Sequence, residues 1–174
     1  MPRLPRPALW LIPLSLAAQP GAAQDASILF DLLCGRTVHY YDPGIPTGSG
    51  IGNQIEYTSP DGSAFLWHPD DDDVIIGTWS VEPDAQGNGM VCYEYPEDSF
   101  DQALIPYNGE PICFDGMGLT NDIVDLGIRN GDVYGHSDGI PPFEMQNHPQ
   151  LGIEDLRGQF PQDAPATGCV AMMS

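Results

Sequence analysis

The chain has 174 residues and carries 25 acidic against 5 basic side chains, for a formal net charge of −20 at pH 7. A surface this negative repels phosphate backbones and anionic lipid, so the composition excludes a nucleic-acid partner. It favours solubility in a salty medium, where ions screen the self-repulsion, or, as the alternative, attraction to a specific cationic partner.

The N-terminal stretch predicts a secretory signal peptide over residues 1–23. Arg3 and Arg6 form a short basic start. The apolar run Ala8–Ala18 follows, and a group of small residues ends at Ala23 as in a cleavage site. The apolar run is shorter than the roughly 20 residues that span a bilayer. We therefore expect cleavage after Ala23, a periplasmic or secreted protein, and no integral membrane segment in the mature chain.

The remaining residues predict one mainly β domain over 24–140. Its first element is a short helix, Ser27–Leu33, whose start Asp25 or Ser27 could cap and whose end Gly35 could mark. Prolines interrupt every regular pattern in residues 141–174. We expect this last part to be an irregular extension, or strap, packed on the same domain.

The four cysteines predict two disulfide bonds. An even number of cysteines in an exported chain is typical of a disulfide framework. Of the three possible connectivities we favour Cys92–Cys113, which closes a local loop, and Cys34–Cys169, which joins the two ends of the domain. The absence of a Cys-x-x-Cys pair makes a zinc site the weaker interpretation.

Turn residues between alternating apolar segments predict antiparallel hairpins. Such segments point to an antiparallel meander that forms a small barrel or sandwich. The predicted strands are Arg36–Tyr41, Ile55–Ser59 and Ala64–His68 around the turn Pro60-Asp61-Gly62, Val74–Val81 and Met90–Tyr95 around a longer loop, and Ile112–Asp115. The predicted core residues are Phe65, Trp67, Val74, Ile76, Trp79, Val91, Tyr93, Ile112, Phe114, Ile123, Leu126, Ile128 and Val133.

A further hairpin is predicted around Asn130-Gly131. This dipeptide is preferred in two-residue type I′ turns, because both positions need a positive φ. The flanking segments, Ile123–Arg129 and Asp132–Tyr134, would be its two strands.

The sequence Gly135-His136-Ser137-Asp138-Gly139 matches the Gly-x-Ser-x-Gly pattern of hydrolase nucleophile elbows. Such an elbow needs a strand before the serine and a helix after it. Pro141 and Pro142 exclude that helix, so we predict a polar turn and no catalytic residue. The four histidines, His39, His68, His136 and His148, show no metal-ligand spacing and are expected at the surface or in hydrogen bonds.

The densest charge run is Asp70-Asp71-Asp72-Asp73. Carboxylate oxygens suit Ca²⁺, although the spacing is not that of an EF-hand loop. A solvated connector is the preferred interpretation, with Asp70, Asp71, Asp72 and Asp73 as a possible calcium site. No other cofactor is expected.

Four short motifs occur in order along the chain: Leu33–Val38, Asp61-Gly62, Gly77-Thr78-Trp79 and Cys92-Tyr93. Together they resemble small exported bacterial proteins of uncharacterised function in which a Gly-x-Trp strand pairs with a Cys-aromatic strand. The resemblance spans residues 33–114, and the chain departs from it in the long insert after Cys92 and in the proline-rich tail. It implies no activity and no site residue.

The sequence therefore predicts an exported, disulfide-stabilised β protein. Its preferred role is a non-catalytic binding or envelope-associated module for a small molecule or a protein. A calcium-stabilised extracellular protein and a small hydrolase are the alternatives.

Overall fold

The computed structural model describes residues 20–42, 52–69, 72–100, 107–116, 127–141, 143–145, 151 and 169. Its elements are α1 Pro20–Leu33, β1 Arg36–Asp42, β2 Gly52–Thr58, β3 Ser63–Trp67, β4 Ile75–Pro83, β5 Gly89–Glu94, β6 Ile112–Asp115 and β7 Ile128–Asn130, with a 3₁₀ turn at His136–Asp138. The seven antiparallel strands form one sheet in the order β6-β5-β4-β3-β2-β1-β7, curled into a half-barrel. The predicted mainly β fold with one short helix is confirmed.

The helix α1 begins at Pro20, earlier than the predicted start near Ser27. Proline is favoured in the first turn of a helix, because the N–H that it lacks would have no partner there. Asp25 and Ser27 therefore lie within the helix and not at its first residue. Gly35 follows the helix with a φ of 65°, a left-handed conformation that ends helices at little cost for glycine.

Both predicted hairpins with aspartate-containing connections are confirmed. In the turn between β2 and β3, the Asp61 carboxylate accepts a hydrogen bond from the backbone N–H of Ser63 at 2.9 Å. In the loop between β4 and β5, the Asp84 carboxylate accepts from the backbone N–H groups of Gln86 and Asn88 at 2.8 and 2.7 Å. Aspartate stabilises such turns because its short side chain reaches the backbone two residues later.

The predicted hairpin at Asn130-Gly131 is wrong. The short strand β7 pairs with β1, with Asn130 opposite Arg36, and the chain after Gly131 turns away from the sheet. A type I′ turn needs a positive φ at both central residues, and only Gly131 has one, at 80°. Thr37 holds the departing chain instead, because its hydroxyl donates to the Gly131 carbonyl at 2.6 Å and accepts from the Val133 N–H at 3.3 Å.

One face of the sheet, here called the helix face, packs against α1. The ring of Phe30 in α1 stacks on Trp79 in β4, with ring centroids 5.4 Å apart. Small residues allow this approach, because a Cβ atom at Gly89 would lie 2.8 Å from Leu29. The buried residues of this helix-face core are Leu33, Cys34, Val38, Ala64, Leu66, Trp79, Val91, Tyr93, Tyr95 and Tyr107.

The opposite face, here called the far face, is covered over part of its area by the chain after β7. Trp67 in β3 makes an edge-to-face contact with Phe143, with centroids 4.7 Å apart. The N–H of Leu151 donates to the Asn53 side chain in β2 at 2.9 Å. The buried residues of this far-face core are Ile55, Trp67, Val74 and Met145.

The predicted core is correct for most of the residues that the structure describes and wrong at two. Ile76 is 52% exposed and Phe114 is 44% exposed. Ile76 points to the far face, opposite Phe65 in β3, and Phe114 lies on the short edge strand β6. Ile123 and Leu126 lie outside the described residues.

The structure contains both favoured disulfides. Cys92 and Cys113 are directly opposite each other in β5 and β6, with Cα atoms 4.0 Å apart. Cys34 at the end of α1 bonds to Cys169, so a residue of the predicted extension 141–174 is tied to the domain. Within the described ranges, no helix is long and apolar enough to cross a membrane.

Candidate functional site

The predicted calcium ligands are only partly described. Asp70 and Asp71 lie outside the described residues, and Asp72 and Asp73 are exposed in the bend before β4. Of the residues described, no group of three or more His, Cys, Asp or Glu side chains is arranged to hold a metal ion. Calcium binding at this acidic run therefore stays a prediction.

Ser137 lies in the 3₁₀ turn, where its hydroxyl donates to the Asp132 carboxylate at 2.6 Å. The same carboxylate accepts from the backbone N–H groups of His136 and Ser137 at 2.8 and 2.9 Å. Asp132 therefore organises the turn by satisfying three donors. Nucleophilic catalysis by serine needs a direct hydrogen bond from the hydroxyl to a base such as histidine. Ser137 makes its side-chain hydrogen bond to a carboxylate that already holds two backbone donors.

His136 is fully buried beneath the far face, contrary to the expectation of a surface or hydrogen-bonded histidine. Its ring lies 6.0 Å from that of Trp67 and 5.5 Å from that of Tyr134, and neither ring nitrogen has a hydrogen-bond partner. The Nδ1 atom is 3.7 Å from the Asp132 carboxylate. Burial lowers the pKa of His136 to about 4, and the attraction of Asp132 opposes this only in part. The ring is therefore neutral at neutral pH.

A buried carboxyl group occupies the helix face. Glu56 in β2 is 4% exposed and accepts a hydrogen bond from the Tyr95 hydroxyl. Burial raises the pKa of Glu56 to about 7, although the hydrogen bond from the Tyr95 hydroxyl favours the charged form and acts in the opposite direction. Near neutral pH this side chain is therefore divided between its protonated and ionised forms.

Tyrosines enclose Glu56 and are held in place by one another. The Tyr107 hydroxyl accepts from the Tyr95 N–H at 2.9 Å and donates to the Tyr95 carbonyl at 3.0 Å. The rings of Tyr93 and Tyr95 stack with centroids 6.4 Å apart. Burial first, and the nearby Glu56 charge second, raise the pKa values of Tyr93 and Tyr95 well above the ordinary range. These hydroxyls therefore remain protonated donors.

Gly77 in β4 provides the space that the Tyr95 ring occupies. A Cβ atom at this position would lie 2.5 Å from the ring and 2.3 Å from the Glu94 carbonyl oxygen. The Gly-x-Trp motif therefore has a packing role: Gly77 admits Tyr95, and two residues later Trp79 packs on the same face. Nothing in the local sequence of the motif indicates its connection to Glu56 through Tyr95.

Neither Glu56 nor His136 was identified as a site residue from the sequence. The alternation of apolar and polar residues in the strand predicts that Glu56 faces solvent. His136 belongs to a segment that the sequence predicts to be a polar turn. No family model matches the chain, and no curated protein or solved structure shows significant similarity to it.

Proposed function

We propose that the chain is an exported, disulfide-stabilised β protein that acts as a non-catalytic binding or envelope-associated module. The observation that carries this proposal is the pair of disulfides, Cys34–Cys169 and Cys92–Cys113. Disulfides form and persist in oxidising compartments and are rare in the cytosol. The predicted signal peptide 1–23 would deliver the chain to such a compartment.

The geometry around the ionisable side chains supports binding over catalysis. Glu56 is enclosed by tyrosines, and His136 is enclosed by aromatic rings, so both are shielded from an incoming substrate. The Ser137 hydroxyl is exposed but donates to Asp132. A rigid sheet with these groups sealed inside suits a protein that presents a surface.

The proposal is tested by the mass of the protein recovered from the envelope fraction of a Gram-negative host that expresses the full chain. We expect loss of residues 1–23 and, under non-reducing conditions, loss of two further hydrogens for each disulfide. Ala23→Tyr should block cleavage, because the position before the cut needs a small residue, whereas Ala22→Tyr should not. An uncut chain with free thiols would contradict the proposal. Labelling of Ser137 by a fluorophosphonate, which reacts with activated serines, would instead support the hydrolase alternative.

A further inference from the structure

A row of apolar side chains crosses the far face of the sheet from β2 to β4. Tyr57, Phe65 and Ile76 lie side by side in register on β2, β3 and β4. The rings of Tyr57 and Phe65 stack with centroids 6.0 Å apart, and Ile76 extends the row towards β5. This is here called the aromatic row. Phe65 packs against the far-face core, and the row ends in Ile76, which is 52% exposed and presents an apolar surface to solvent.

Acidic side chains flank both ends of the aromatic row. At one end, burial raises the pKa of Tyr57, a hydrogen bond with Ser59 opposes this, and the nearby carboxylates of Asp132 and Asp61 raise it further. The geometry agrees: Thr37 lies opposite Tyr57, and its hydroxyl bonds the residues on either side of Asp132. Asp61 lies in the turn that joins β2 to β3. At the other end, Glu94 in β5 is exposed and lies opposite Thr78, which places it diagonally across from Ile76 on the same face.

The spacing of these features matches an extended peptide. Three strand intervals separate β2 from β5, which is about 14 Å at the usual spacing between strands. In an extended chain, residues i and i+4 point to the same side and are about 13 Å apart, with residue i+2 between them. Basic side chains at i and i+4 would reach the two acidic ends while residue i+2 covers the apolar centre.

The negative charge of the protein indicates which kind of partner the aromatic row would bind. A second copy of this chain would bring another formal charge of −20 to the same surface. A lysine or arginine can place its aliphatic stem on an apolar surface and its cation against carboxylates. The cation also makes a favourable contact with the π face of an aromatic ring. The aromatic row with its acidic ends offers all three contacts.

We propose that the aromatic row binds an extended basic segment of a partner protein, with arginine or lysine at i and i+4 and an apolar residue at i+2. This inference rests on the proposed function, since it names the surface and the partner of the binding module. Asp61 and Asp132 hold one basic side chain, Glu94 holds the other, and Phe65 and Ile76 contact the apolar residue between them.

The test compares two blocked peptides of the same composition against the full, oxidised chain at about 150 mM salt, where the Debye length is short. One contains Arg-Thr-Leu-Thr-Arg and the other contains Arg-Arg-Leu-Thr-Thr, so general attraction to the acidic chain is the same for both. We expect the first peptide to bind about tenfold more tightly, because only its arginines reach both acidic ends at once. Equal binding of the two peptides, or no binding at about 1 mM, would overturn the proposal.

Matched variants locate the binding surface. Ile76→Ser should lower the affinity for the spaced peptide by about fivefold, because the leucine between the arginines loses its apolar contact. Ile28→Ser is the control, since Ile28 in α1 is similarly exposed, at 56%, and lies on the other side of the sheet. Near-ultraviolet circular dichroism checks that both variants keep the native fold. An equal loss in both variants would overturn the proposal.

Other occupants give distinct results. If the chain dimerises in sedimentation and Ile76→Ser makes it monomeric, the occupant is a second copy and the proposal is wrong. The peptide comparison uses the oxidised chain whether or not the cell exports it, and the mass measurement needs no peptide. Failure of the docking proposal and failure of the proposed function are therefore separate outcomes.

Discussion

The two faces of the sheet bury their ionisable side chains in different ways. On the helix face, the Glu56 carboxyl accepts a hydrogen bond from the Tyr95 hydroxyl, and burial nevertheless raises its pKa to about 7. On the far face, His136 is enclosed by rings that offer its nitrogens no hydrogen bond, and burial lowers its pKa to about 4. Both faces disfavour a charge, but one group is an acid and the other is a base.

The consequences for stability have opposite signs. Glu56 binds its proton more tightly in the folded chain, so its contribution to stability is present below the unfolded pKa of 4.5 and is lost as the pH rises to about 7. His136 binds its proton less tightly in the folded chain, so its contribution is lost as the pH falls from 6.5 to about 4. A nearly flat dependence of stability on pH can therefore conceal two buried titrating groups whose effects cancel.

The largest expected effect is a difference in the free energy of unfolding between variants at two far-face residues, the buried Trp67 and the exposed Ile76. Trp67→Ala should lower the free energy of unfolding by about 4 kcal/mol, because it leaves a cavity between the sheet and Phe143. Ile76→Ala on the next strand should change it by no more than about 0.5 kcal/mol, since this side chain is exposed. Urea unfolding of the oxidised variants at one pH provides the measurement. Similar losses for the two variants would show that the far face is covered throughout.

The next largest effect is the pH dependence of stability that Glu56 contributes on the helix face. Relative to the wild type, Glu56→Gln should gain about 2.5 kcal/mol of stability between pH 5 and pH 8, because wild-type Glu56 must take up a proton or bury its charge to fold over that range and the variant must not. Urea unfolding as a function of pH measures the difference. Glu94→Gln is the matched control, since Glu94 is exposed, and it should change the free energy of unfolding by no more than about 0.5 kcal/mol. A pH-independent difference for Glu56→Gln would mean that Glu56 has its ordinary affinity for protons.

Local patterns predicted the strands and turns because those elements depend on nearby residues. The tripeptide Pro60-Asp61-Gly62 between two alternating segments was enough to predict the β2–β3 hairpin. The pairing of Cys92 with Cys113 followed because the predicted strand Ile112–Asp115 could lie beside Cys92. The prediction of a hairpin at Asn130-Gly131 is wrong for a non-local reason. The strand β7 pairs with β1, which lies almost a hundred residues earlier in the chain.

The buried ionisable groups could not be predicted because alternation says nothing about which face of a sheet is covered. Strand β2 is buried on both faces, so Glu56 and its neighbour Ile55 are both inside. Strand β4 is covered on the helix face alone at its centre, so Ile76 is exposed although its sequence environment resembles a core strand. The burial of His136 depends on the rings of Trp67 in β3 and of Tyr134, two residues earlier in the chain.

The smallest expected effect isolates His136 and completes the comparison. Relative to the wild type, His136→Phe should lose about 2 kcal/mol of stability between pH 5 and pH 7, because the wild-type imidazole must give up a proton to fold at pH 5 and no longer has to at pH 7. The variant Phe ring keeps the contacts with Trp67 and Tyr134, so a constant packing difference shifts the whole curve and leaves its slope unchanged. Since Glu56 and His136 lie on opposite faces, the double variant with Glu56→Gln should show the sum of the two slopes. A slope for His136→Phe that matches the wild type would place the His136 charge in contact with water, and burial would then not lower its pKa.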